Sequence, residues 1–180
     1  MSRLEASELL DQAGLSLSAE GVARLVEDTE GWPVGLYLAT LSVGHGEELD
    51  SAVRRVLGDN RLVADYLRDE FLEGRPAAAV DFLIRTSILD RLSGPLCDAV
   101  LEQEGSAETL KELARSNLLV VPLDQRDREY RYHALLREML EGELHRAGVK
   151  QEAELHARAS HWYLEHGDVD RAVDHAIAVG

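Results

Sequence analysis

Basic residues are in short supply. The 19 lysines and arginines stand against 34 aspartates and glutamates, for a formal net charge of −15 in 180 residues. The deficit is not confined to one tail: residues 1–75 hold 15 acids and 7 bases, residues 76–148 hold 13 and 9, and residues 149–180 hold 6 and 3. A chain that neutralises duplex phosphates needs a basic face, so direct nucleic-acid binding is not expected of this one. The same shortage disfavours an anionic membrane surface. Lys111 and Lys150 are the only lysines, and neither follows a glycine loop. No GxxxxGK[ST] run occurs, so the backbone cradle and ammonium that hold nucleotide phosphates are missing. An acidic strand of the Walker-B kind is missing too. No enzymatic role and no catalytic residues are expected, and the chain by itself calls for no cofactor.

Cysteine is limited to Cys97, which cannot close an internal disulfide and fits a reducing compartment. No run approaches the roughly 18–20 apolar residues of a membrane span. The opening MSRLEASELLDQAG carries three acids and no apolar stretch of the kind a secretory signal needs. A cytoplasmic location is the expectation. Aromatics make up 5% of the residues while 45% are hydrophobic, with alanine and leucine dominant, so an ordinary and mostly helical core is expected.

The apolar pattern bears this out along the chain. Val22, Leu25, Val26 and Thr29 recur at helical spacing behind Ser18, a cap, and Glu20, a first-turn acid. A second helix runs from Pro33, tolerated in a first turn, to Gly44. A third contains Val63, Tyr66, Leu67 and Phe71. Gly74 and Pro76 punctuate the chain and mark a module boundary. Beyond it, Val80, Leu83, Ile84, Ser87 and Ile88 form a helical stripe, followed by short helices over Pro95–Leu101 and Ala107–Ser116. Leu118–Leu123 reads as a buried strand, and Glu129–Tyr132, across the loop DQRDR, as its hairpin partner. Leu136, Met139, Leu140 and Leu144 begin another helix. Three helices, a β-hairpin and a further helix is the order of a winged-helix module. The tail carries two more stripes, Leu155–Tyr163 and Val169–Ile177, around a turn at Gly167. A helix pair of this kind is the unit of a solenoid, and one pair cannot bury both of its faces. Its uncovered stripe, including Trp162, Val173 and Ile177, predicts self-association through residues 150–180.

Five runs in order, Thr29–Ser42, Phe82–Leu101, Leu110–Asp124, Tyr130–Leu140 and His156–Gly180, resemble the large ATP-binding regulators of the LuxR family, the MalT-type signal-transduction ATPases with numerous domains. The resemblance implies a mainly α chain: a helical lid over residues 1–75, a winged helix over 76–148, and the first helix pair of a tetratricopeptide-like array over 149–180. It further implies that this is an internal piece of a longer regulator. In such a parent, a P-loop ATPase core and a C-terminal DNA-binding domain are the partners, and ATP or ADP is the ligand. The chain would relay the core's nucleotide state to a sensor solenoid and an output domain. Rival readings are a freestanding helical adaptor for a protein or small molecule, and a winged-helix DNA binder. The latter is disfavoured because the candidate recognition helix sets Glu108 and Glu112 against Lys111 and Arg115.

Within the resemblance, Gly31, Trp32 and Pro33 match a turn whose proline packs against the nucleotide, and His133 matches a histidine that contacts the ADP phosphate. The residues themselves permit plainer roles. Gly31–Pro33 can simply start a helix, and His133 can simply cap one. The late histidines suggest a metal, but His156, His161 and His166 lie five apart and fan around a helix instead of converging. No metal site is expected. Cys97, on a short apolar helix, reads as buried and structural.

Overall fold

The computed structural model describes residues 2–12, 18–28, 31, 68–116 and 119–178. The chain divides into two compact units, Met1–Glu70 and Phe71–Gly180.

In the first unit, α1 (Arg3–Gln12) packs against α2 (Ala19–Asp28) through Ala6, Leu10, Val22 and Leu25, all buried. Each helix has a serine at its start. Ser2 and Glu5 form a reciprocal capping box: the Ser2 N–H donates to the Glu5 carboxylate at 2.7 Å, and the Glu5 N–H donates to Ser2 Oγ at 3.4 Å. Ser18 Oγ accepts from the Gly21 N–H at 3.1 Å, the cap expected from the sequence. The helix expected from Pro33 to Gly44 lies outside the described residues. Of the stretch expected around Val63–Phe71, the described part is a single π-helical turn, Arg68–Leu72.

The second unit runs α3 (Ala77–Thr86), β1 (Leu92–Ser93), α4 (Gly94–Leu101), α5 (Ser106–Arg115), β2 (Val120–Pro122), β3 (Glu129–Tyr132), α6 (Ala134–Ala147), α7 (Val149–Glu165) and α8 (Val169–Ala178). The sheet is antiparallel in the order β1-β3-β2, with Leu92 opposite Tyr130 and Val120 opposite Tyr132. Three helices, a wing made by the β2–β3 hairpin, and a following helix form a winged helix. The fold is mainly α, as the apolar periodicity predicts.

Two details differ from the sequence reading. The strand β1 is new: two residues are too few to show alternation, and it exists because Leu92 is drawn into the core beside the open edge of β3. The strand expected over Leu118–Leu123 is shorter. Leu118 lies outside the described residues, Leu119 adopts a left-handed conformation at φ 55°, and the regular strand covers Val120–Pro122, with Leu119 and Leu123 each adding one backbone bond beyond its ends.

The core gathers around α4, which buries Leu96, Cys97, Val100 and Leu101. Ser93 caps it, accepting from the Leu96 N–H at 3.4 Å. Gly94 permits the close approach of α5, because a Cβ there would lie 2.8 Å from the Ala107 Cβ. Leu83, Leu110, Tyr130, Leu136 and Leu140 complete the interior. One polar contact crosses it. The Thr86 hydroxyl donates to the Phe82 carbonyl at 2.7 Å. Its single proton is thereby used, so the Tyr132 hydroxyl is the donor in the 2.7 Å bond between the two side chains. On the outer side, α7 packs on α4 and α6. Arg158 fastens it, reaching the Val100 carbonyl at 3.2 Å and Glu102 at 2.9 Å. The last helix, α8, folds back on α7 after a turn at Gly167 (φ 79°).

Candidate functional site

The hairpin and α6 meet at His133. Its backbone remains extended (φ −61°, ψ 140°) while Ala134 begins the helix, so His133 is the N-cap residue. The hairpin sets this position, because the His133 N–H donates to the Leu119 carbonyl at 2.7 Å. Its ring turns back over the helix start, and Nδ1 accepts from the Leu135 N–H at 3.4 Å. An accepting Nδ1 places the proton of the neutral ring on Nε2. That atom is buried, and His133 as a whole is 6% exposed. The imidazole thus stands at the positive end of a 14-residue helix, where partial charges on first-turn N–H groups favour an anion.

Gly31 belongs to the first unit. It is buried, its φ is 68°, and its N–H donates to the Val26 carbonyl at 2.7 Å, closing the end of α2. Trp32 and Pro33 lie outside the described residues. The turn and His133 fall in different units.

The helix α5 presents mixed charge, with Lys111 bridged to Glu108 at 3.8 Å. Cys97 is a buried free thiol, and burial pushes its pKa up to about 12. Such a thiol is neutral and inert at physiological pH. Among the described residues, no group of three or more His, Cys, Asp or Glu is placed to hold a metal ion. No described helix is long and apolar enough to cross a membrane.

Two features were not legible in the sequence, because each joins residues from separate elements. A cleft of about 530 Å3 opens between the wing, α5, the start of α4 and the end of α7, lined by Pro95, Ala107, Lys111, Arg126, Tyr130 and Trp162 among others. At its mouth, Trp162 stacks on His166 with ring centroids 3.8 Å apart. The second feature is a histidine pair, His156 on α7 and His175 on α8, whose Nδ1 atoms are 2.8 Å apart.

Comparison with known proteins fits this architecture. The MalT winged helix domain family matches residues 60–152. The serine/threonine-protein kinase PknK of Mycobacterium tuberculosis (strain CDC 1551 / Oshkosh) is 32% identical over 177 residues, which is 98% of this chain and 16% of that protein. The HTH-type transcriptional regulator MalT of Klebsiella pneumoniae (strain 342) is 28% identical over 166 residues, 91% of this chain and 18% of that one. The chain therefore spans about one-sixth of the length of the curated relatives it matches. With a family match over more than half of its residues, one that includes the hairpin and the helix that carry His133, the chain belongs to the MalT winged-helix family.

Proposed function

We propose that this chain is a non-catalytic regulatory segment of an ATP-dependent, MalT-type transcriptional regulator. In this reading residues 1–75 are the helical lid of an ATPase module, 76–148 the winged helix, and 149–180 the start of a helical sensor array. The parent chain supplies the P-loop core and the DNA-binding output domain. Lid and winged helix close over bound ADP and hold an inactive state, and exchange to ATP releases them. Nucleotide then acts as the ligand that biases a two-state element. The observation that carries this reading is His133: an imidazole at the start of α6, fixed there by a hairpin bond, in a chain whose winged helix matches that family. Gly31, Trp32 and Pro33 are assigned to the adenine or sugar side of the same nucleotide.

The energetics of His133 set the terms of the test. Nδ1 is occupied by the cap on Leu135, so a phosphate would be met by the Nε2–H while the cap stays in place. A hydrogen bond to a charged group contributes about 1.5–3 kcal/mol, and it exists only in the closed state. In the parent protein carrying its ATPase core, His133→Ala is expected to speed ADP release by roughly one to two powers of ten and to favour the active, self-associating state. An unchanged ADP off-rate with a lowered melting temperature would reduce His133 to a helix cap and remove the sensor role.

The cleft beside Trp162 supports a second reading, a helical adaptor that takes a small molecule, since its volume lies in the range of ligand sites. Titration of the 180-residue chain with ADP and mixed-sequence DNA addresses all the readings together. The regulatory reading expects ADP no tighter than about millimolar without a P-loop, and no DNA retention at physiological salt.

A further inference from the structure

We propose that His156 and His175 form a proton-operated latch that fastens α8 to α7 near neutral pH and frees it in acid. The two rings have centroids 5.0 Å apart and Nδ1 atoms 2.8 Å apart, so the nitrogens face one another across the gap between the helices. A hydrogen bond between two Nδ1 atoms requires a proton on one and a lone pair on the other, hence two neutral rings in opposite tautomers. One added proton leaves that bond in place, with an imidazolium donating to an imidazole. A second removes the last lone pair and sets two cations in contact. The titration belongs to the pair, in two separated steps.

What surrounds the pair decides where those steps fall. Glu152 and Tyr163 face it from α7, Glu141 and Arg137 from α6, Asp174 from α8, and Asp90 from the segment before β1. Arg137 is itself bonded to Asp90 and Glu141, a group left with one net negative charge. Burial lowers both imidazole pKa values, and the nearness of His156 adds to the lowering at His175, to about 4. The four carboxylates pull the other way without prevailing. Unfolded histidines titrate near about 6.5. A depressed folded value means that the stabilisation is whole above that pH and lost as the pH falls toward about 4.

The consequence is local because α8 rests chiefly on α7 and buries little of its own surface there. Ala172 is its one buried side chain. Beyond the histidine bond, the fastenings are Ser160 Oγ donating to the Ala172 carbonyl at 2.7 Å, Tyr163 stacked on His175 at 5.5 Å, and Arg171 over the same tyrosine at 5.7 Å. Double protonation removes the bond and sets two cations in repulsion across the gap. The α7 face bearing Tyr163 then becomes accessible.

Amide hydrogen exchange of the 180-residue chain, corrected for intrinsic rates, tests the latch. The expected result is a loss of protection by tenfold or more in α8 between pH 7.5 and 4.5, with α4 unchanged. In the His156→Gln/His175→Gln double variant, α8 is expected to be equally protected at both pH values. Constant α8 protection in the native chain would overturn the proposal. So would the same pH dependence in the double variant, which would assign the effect to carboxylates. Should the variant fail to fold, NMR titration of the native histidines decides. Two coupled steps, the lower near pH 4, support the latch, and two independent transitions near about 6.5 overturn it.

Discussion

Two short apolar helices in the second unit have opposite fates. In α4, Leu96, Cys97, Val100 and Leu101 are all enclosed by α3, α5 and α7. In α8, Val169, Val173 and Ile177 recur at i, i+4 and i+8, as clean a stripe as any in the chain, yet they are 57%, 47% and 72% exposed. The helix instead turns Ala172 toward α7. Apolar periodicity specifies that a helix has an apolar face, but what covers that face depends on which neighbours are present.

The comparison is broken most directly by truncating one side chain on each helix. Leu96→Ala is expected to cost about 2–5 kcal/mol in denaturant unfolding, the range for a buried leucine whose surroundings cannot collapse. Val173→Ala should stay within about 0.5 kcal/mol. Equal losses would mean that α8 is covered in solution.

Next in size is Gly94→Ala. The added methyl meets the Ala107 Cβ, and overpacking of this kind costs about 1–3 kcal/mol. Combining it with Ala107→Gly should recover part of that loss in the same unfolding experiment. A simple sum of the two single effects would show that the helices do not meet there.

Tyr132→Phe should be milder, about 0.5–1.5 kcal/mol, because the Thr86 hydroxyl keeps its bond to the Phe82 carbonyl. The Cys97 thiol sharpens the picture of an enclosed α4 at smaller energy. With a pKa near 12, its thiolate fraction at pH 8 is roughly one in ten thousand, so native protein should resist maleimide until unfolded. The sign also follows: this buried neutral thiol stabilises the fold fully below about pH 8.5, and that contribution declines as pH rises toward 12. Rapid native labelling would contradict the burial of α4.

The smallest effect on stability is expected from Ile177→Ser. It should leave the melting temperature unchanged while weakening any concentration-dependent association seen by sedimentation, since an exposed apolar stripe of this kind tends to find a partner. A native chain that is strictly monomeric at high concentration would remove self-association from the functional reading.

Much of the fold was legible in advance because its signals are local. Ser18 reads as a cap from its place before an apolar run, and the structure shows its Oγ on the Gly21 N–H. Helical spacing located α3, α6, α7 and α8, although Ser87 and Ile88 of the first stripe lie past the end of α3 at Thr86, and alternation located β3. The strand β1 was invisible because two residues carry no period. The start of β2 differs from the expectation because an apolar run does not reveal the left-handed Leu119 within it. His133 was readable as a residue at a strand–helix junction, but not the direction of its ring. The capping role was one of the readings the sequence offered, and the structure shows it in the Nδ1 bond from Leu135, whereas the burial of Nε2 is an outcome of packing.

The histidines draw the line most sharply. Sequence alone determined that His156, His161 and His166 fan around one helix and cannot converge, since a rotation of 100° per residue follows from helix geometry. It also determined the acidic charge and the absence of a P-loop, which are properties of composition and order. Only the tertiary structure brought His156 to His175, 19 residues away, because the turn at Gly167 reverses the chain and sets the two helices side by side. A contact of that kind depends on the relative rotation and translation of two helices, and no local period encodes those.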